Sequence, residues 1–304
     1  MKKGLVIYYT QTGQAKDVID SYCSGFKQTE FSFYEIKPST PFPFPWNTFQ
    51  FFNAFPETFS QKPIELVSPP KHAFDDYDFI TLVYQPWFLT PSPPITSFLQ
   101  TENALSILKN KSVITISCSR NMWLGAQEKV KSHLSKLSAD LVGNIAVVDK
   151  SPNLKSVITI LRWMLTGKKN PFFIFPKAGI QEAEIKKAKD FGEIVENCVL
   201  VKDTITLQEK LNNAGAVEIN SSLVLLEKRG QKAFRLWSKF IGNADPNSIQ
   251  RKGRVRLFSI LLPTVVFILS PILTVLSTII LKINRQKLED VASKFMQNKP
   301  VDYF

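Results

Sequence analysis

Leu5-Val6-Ile7-Tyr8-Tyr9-Thr10-Gln11-Thr12-Gly13-Gln14-Ala15 is the stretch that decides the fold. Its first five residues are apolar and have the length of a strand. No polar residue alternates with them, so such a strand is buried on both faces. A small polar loop follows, and a helical pattern then runs from Ala15 to about Phe26. Strand, loop and helix together open a βα unit. The apolar strand pattern recurs at residues 31–36, 78–84, 113–117 and 145–148, with helical stretches near 94–109 and 123–139. Five such strands with helices between them predict an α/β fold with a doubly wound parallel sheet. Ligands of such sheets bind at the carboxyl ends of the strands.

The loop 10–15 therefore has a chemical reading as well. A phosphate placed there meets backbone N–H groups at a helix start, where the helix dipole favours negative charge. Thr10 and Thr12 add hydroxyls, and Gly13 allows close backbone approach. Other phosphate loops are absent. No G-x-G-x-x-G follows Tyr9, and Gly167-Lys168-Lys169 lacks the flanking residues of a triphosphate loop. The plainer alternative is a βα turn that happens to be polar.

Net charge divides the chain. Of the formal +12, residues 1–150 carry +1 and residues 151–304 carry +11. A basic half can face nucleic acid or an anionic membrane. Here the charge flanks an apolar run rather than a reading motif, which argues against nucleic acid. That run, 257–281, has no charged residue. About 20 apolar residues suffice to cross a bilayer as a helix. Arg251, Lys252, Arg254 and Arg256 precede it, and Lys282, Arg285 and Lys287 follow it. Basic flanks on both sides sit poorly with a single span. Pro263 and Pro271 permit a re-entrant hairpin instead, and a buried helical hairpin is the remaining alternative. The expected layout is a domain over 1–150 and a mostly helical, membrane-associating extension over 151–304. Within that extension, 154–166 reads as an amphipathic helix and 180–197 as a charged one.

Residues 38–72 interrupt the α/β rhythm with prolines and phenylalanines, among them Phe42, Phe44, Trp46, Phe51, Phe52, Phe55 and Phe59. A long loop this aromatic is not a disordered one. It reads as a segment packed on its own domain, a greasy wall over a substrate site, or a membrane contact. Cys23, Cys118 and Cys198 stand far apart, and His72 and His133 stand alone, so neither a disulfide framework nor a metal site is expected.

With these motifs in place, Tyr8-Tyr9-Thr10-Gln11-Thr12-Gly13 resembles the FMN-phosphate loop of flavodoxins. That family usually has a hydroxyl residue where Ala15 stands, so one phosphate contact is missing from the pattern. The resemblance implies FMN held by Thr10, Gln11, Thr12, Gly13, Gln14 and Ala15. It also implies two ring-binding loops after the third and fourth strands. The first contains Pro86, Trp87 and Phe88, and the second contains Ser119, Arg120, Asn121, Met122 and Trp123. Trp87 or Trp123 would stack on the ring, and Arg120 would face negative charge on it.

The whole chain is similar to a narrower family, the flavodoxin-like proteins of bacterial dialkylresorcinol and flexirubin-type pigment pathways. The similarity rests on the opening Ile7-Tyr8-Tyr9-Thr10-Gln11-Thr12-Gly13-Gln14, on Ser119-Arg120-Asn121-Met122-Trp123, and on the basic, apolar C-terminal region. It implies an aromatase that oxidises a 2,5-dialkylcyclohexane-1,3-dione made by a ketosynthase-type condensing enzyme. Such a protein would work at the cytoplasmic face of the inner membrane, without nucleic acid as a partner and as a homodimer. The rival readings are a membrane-associated FMN-dependent quinone reductase or electron carrier, and a cofactor-free scaffold for the condensing enzyme. His72, Tyr84 and Arg120 are weak catalytic candidates. His133, within a helical pattern, reads as a surface residue.

Overall fold

The computed structural model describes residues 1–269, 290 and 292–301. Of the apolar run 257–281, the part beyond 269 lies outside the described residues, as do the cations at 282, 285 and 287. Five parallel strands form the sheet: β1 (Lys2–Tyr8), β2 (Thr29–Glu35), β3 (Phe79–Tyr84), β6 (Ser112–Ser119) and β7 (Asp140–Val148). Two-residue strands β4 (Pro86–Trp87) and β5 (Thr90–Pro91) form a separate hairpin. The sheet order is β2-β1-β3-β6-β7. This is the doubly wound, flavodoxin-like order, and its topological switch point lies between β1 and β3. The strands form because β-branched and aromatic runs such as Phe79 to Tyr84 can be buried on both faces at once.

One face of the sheet is covered by α1 (Gln14–Cys23), α8 (Glu182–Leu200) and α9 (Leu207–Asn213), whose Val18, Phe191, Val195 and Leu211 share a core with Val6, Val83 and Ile116. This core runs across residue 150. Helices α1 and α8 approach so closely that a Cβ on Gly192 would lie 2.1 Å from the carbonyl oxygen of Tyr22. Glu196 on α8 then accepts from the N–H groups of Lys27 and Gln28 at 2.7 Å each, fixing the chain ahead of β2. The other face is covered by α4 (Pro93–Phe98), α5 (Glu102–Leu108) and α6 (Leu124–Lys136).

The aromatic segment is not one long loop. It contains two short helices, α2 (Thr48–Asn53) and α3 (Phe55–Phe59). Asn47 and Gln50 form a reciprocal capping box that starts α2. Phe52, Phe55 and Phe59 pack with Ile241, Val255 and Phe258 from the C-terminal helices α10 (Ser221–Gly242) and α11 (Ile249–Thr264). Helix α7 (Asn153–Thr166) follows β7 and closes the region above the sheet. Beyond α11 the chain continues as a π-helix over Val265–Leu269. Among the described residues no helix is long and apolar enough to cross a membrane.

Candidate functional site

The site lies at the carboxyl end of β1, where the loop 10–15 meets the switch point. Gly13 adopts φ 83°, a left-handed conformation that a side chain disfavours, and serves as the N-cap of α1. Its N–H donates to Thr10 Oγ1 at 3.1 Å, which curls the loop back on itself. The first N–H groups of α1 have no intrahelical partner, as at any helix start. Gln14 and Ala15 contribute these backbone groups, but their side chains are engaged elsewhere. Gln14 Nε2 donates to the Ile180 carbonyl at 3.2 Å, and Gln14 Oε1 accepts from the Ile180 N–H at 3.0 Å. Ala15 is fully buried in the core, so the position that a hydroxyl usually fills faces inward. Gln11 Nε2 donates to the Pro43 carbonyl at 2.9 Å, tying the loop to the aromatic segment.

A cavity of about 280 Å³ opens beside this loop. Gln11, Thr12, Trp46, Trp87, Arg120 and Asp149 are among its lining residues. Trp87 stands at the end of the third strand's loop, edge-on to Tyr9 at 6.1 Å, Phe42 at 5.1 Å and Trp46 at 5.7 Å between ring centroids. The turn after it is strained. Phe88 and Leu89 both take positive φ, 49° and 63°, the geometry of a type I′ hairpin turn without its usual glycine or asparagine. Gln231 on α10 holds this turn by donating from Nε2 to the Leu89 carbonyl at 2.7 Å.

The loop after β6 divides into residues that meet the cavity and residues that do not. Ser119 and Arg120 line it. Arg120 Nη1 donates to the carbonyl oxygen of Asn153 at 3.2 Å and also to Asn153 Oδ1, while its Nε and Nη2 donate to nothing among the described residues. Burial lowers the Arg120 pKa to about 10, and the Asp149 carboxylate opposes that shift. Asn121 Nδ2 donates to Asn153 Oδ1 at 2.9 Å, a contact that positions Asn153. Trp123 lies outside the cavity lining, 3% exposed, packed with Leu124, Val217, Val224 and Phe295. Its expected stacking role is therefore corrected, because its indole fills a core between α6 and α10.

The weak catalytic candidates also separate. His72 is exposed on a 3-10 turn, its Nε2 3.0 Å from the Phe33 carbonyl oxygen, and does not line the cavity. Tyr84 is fully buried and donates its hydroxyl to Gln127 Oε1 at 2.7 Å, and burial raises its pKa. Neither is placed to act as a base at the cavity. His133 is half-buried rather than on the open surface, with Nε2 2.9 Å from Gln61 Oε1. Burial lowers its pKa, with Lys136 and Lys129 adding to the effect.

A second cavity, of about 550 Å³, adjoins the first. The two share Phe51, Pro86, Phe88, Ser119, Arg120 and Ile160 among their walls. Beyond that shared wall the second cavity is mainly apolar, with Met122, Phe234, Trp237, Phe258 and Leu262. Sequence reasoning missed the contributions of α7, α10 and α11 here, and missed Asp149. No local motif marks them, although the apolar periodicity of 154–166 gave α7 itself. The arrangement can hold a phosphate at the α1 start, a planar ring near Trp87 and Arg120, and an apolar group beyond. Among the described residues no three His, Cys, Asp or Glu side chains are grouped to hold a metal ion.

No family model matches the chain, and no curated protein matches its sequence. Solved structures resemble it at low identity. A flavoprotein from Lactobacillus acidophilus in complex with FMN is 18% identical, with a TM-score of 0.37, over 48% of this chain and 93% of that one. Oxidised flavodoxin 1 from Bacillus cereus is 13% identical, with a TM-score of 0.34, over 66% and 97%. An archaeal flavodoxin is 10% identical, with a TM-score of 0.36, over 65% and 99%. Likenesses this distant carry no argument of their own, and the fold rests on the strand order and the switch point.

Proposed function

We propose that this chain is an FMN-dependent oxidoreductase, and that it aromatises a 2,5-dialkylcyclohexane-1,3-dione to a dialkylresorcinol. The observation that carries the reading is the junction of the two cavities. One borders the start of α1, whose first N–H groups lack an intrahelical partner, and the other is an apolar space large enough for hydrocarbon.

The residues at the cavity fit FMN. The backbone N–H groups of Thr12, Gln14 and Ala15 would hold its phosphate, the Gly13 N–H being given to Thr10 Oγ1. Trp46 and Ser119 border the cavity, and Trp46 Nε1 and Ser119 Oγ are buried with no hydrogen-bond partner among the described residues. Such atoms cost free energy unless something bonds them. A polar ring edge would satisfy them, and Trp87 would wall the ring. Bound flavin supplies a two-electron acceptor.

Aromatisation removes two hydrogens from the dione, one as hydride and one as a proton. Arg120 would hold the charge of the enolate oxygen with its free Nε and Nη2 donors. An enolised dione is itself acidic, so the proton can leave to water without a strong base. The same reading has a ketosynthase-type condensing enzyme supply the dione and sets the reaction at the cytoplasmic face of the inner membrane.

The test is a visible spectrum of the purified full-length protein, before and after reconstitution with FMN, followed by anaerobic addition of the dione. Flavin bands that bleach on adding the dione support the reading. Bleaching only with NAD(P)H transfers the assignment to a reductase. Failure to bind FMN sinks it.

A further inference from the structure

The second cavity reaches the surface between α10 and α11, where its lining residues Arg229, Ala233, Leu261 and Val265 are exposed. Leu257, Ile260, Leu261, Val265 and Ile268 recur at helical spacing along α11 and its π-helical continuation, and all five are exposed. Leu261 and Val265 also line the cavity, so the exposed stripe and the cavity wall meet at these two residues. The opposite side of α11 is anchored, with Arg251, Val255 and Phe258 each 1% exposed. Exposed cations Lys252 and Arg256 precede the stripe and have no acidic partner among the described residues.

We propose that this face of α11 rests on an anionic lipid surface and forms a lateral portal through which an alkyl-bearing substrate passes from the lipid into the second cavity. The proposal rests on the reading of that cavity as a hydrocarbon site. An apolar stripe with cations beside it is the signature of a helix lying in the membrane interface. A protein partner seated on the stripe would cover Leu261 and Val265 and so close the cavity. A lipid surface leaves it open to the phase where a dialkyl substrate dissolves. Ile260 belongs to the stripe but not to the cavity lining, which allows the two functions to be separated.

The experiment follows transfer of a pyrene-labelled alkylresorcinol from phosphatidylglycerol vesicles to the full-length protein. Loss of pyrene excimer emission reports extraction. Wild type should extract the probe, and Ile260→Glu should slow extraction about tenfold or more, the factor expected for one buried aliphatic side chain. The same variant should bind the probe in vesicle-free solution with wild-type affinity. Ala233→Trp, which fills the cavity wall, should lose binding in solution as well. Extraction should fall with added salt and with phosphatidylcholine replacing phosphatidylglycerol. Wild-type extraction by Ile260→Glu, indifference to lipid charge, or no binding of the probe in solution would each overturn the proposal. FMN binding measured on the same samples keeps the two readings apart. Flavin binding without extraction removes the portal alone, and extraction without flavin binding removes the oxidoreductase alone.

Discussion

Arg251 and Arg120 are both withdrawn from bulk water, yet their surroundings differ. Arg251 spends all five of its N–H donors. Its Nη1 and Nη2 fork onto Glu57 at 3.1 and 2.7 Å, Nε and Nη2 reach Oδ1 and the carbonyl of Asn53, and Nη1 also reaches the Ile241 carbonyl. It welds α11 to the aromatic segment. Among the described residues Arg120 has only the neutral Asn153 as a hydrogen-bond partner, and two of its nitrogens remain unspent at a cavity wall. A buried cation with every donor satisfied is structural. One left short of partners beside a cavity carries an unmet demand for hydrogen bonds.

The largest way to break this comparison is to remove the partner of Arg251. Glu57→Ala strands a guanidinium that is 1% exposed. We expect a loss of about 3 kcal/mol in urea unfolding, at the low end for a broken buried pair because Glu57 itself keeps some exposure. A loss below about 1 kcal/mol would show that Asn53 and Ile241 hold the charge without the carboxylate. Arg120→Met should leave stability nearly unchanged while lowering turnover of the dione by about 100-fold or more, the scale for losing a charge-stabilising donor. Equal losses in stability and turnover would make the two arginines alike.

Gly13→Ala sharpens the contrast from the phosphate side. Nothing lies within 4 Å of the new Cβ, so only the backbone strain at φ 83° remains, about 1 kcal/mol. Affinity for FMN should fall about fivefold in a fluorescence titration, with turnover at saturating FMN preserved. The last test concerns a third buried titratable group. Glu227 accepts from the Gly125 N–H at 2.7 Å, linking α10 to the start of α6, and burial raises its carboxyl pKa to about 7. The folded state thus holds a proton that the unfolded state releases near its ordinary pKa. Stability from this group is complete below about pH 4.5 and is lost as pH rises through about 7. Melting temperature should decline over that window, and Glu227→Gln should flatten the decline.

The strands were legible because parallel strands buried on both faces become apolar runs, as in Phe79 to Tyr84. The loop 10–15 was legible as a helix start because a cap and its first turn are built from neighbours in sequence. Two indoles, Trp87 and Trp123, had equal standing in the chain, and only packing separated them. One borders the cavity, and the other fills a core with Val217 and Phe295. Prolines made 38–72 look like a single loop, whereas the capping box at Asn47 and burial of Phe52, Phe55 and Phe59 build helices there.

The sequence by itself determined the sheet, its βα opening and the place of the helix-start loop, because each depends on contacts between near neighbours or on burial of a whole run. Tertiary structure alone decided which side of α11 is anchored and which is exposed. It alone joined the walls from Phe51, Phe88, Ile160, Phe234 and Phe258 into one apolar space. A cavity is made of what several distant segments leave unfilled, and no segment records that volume in its own residues.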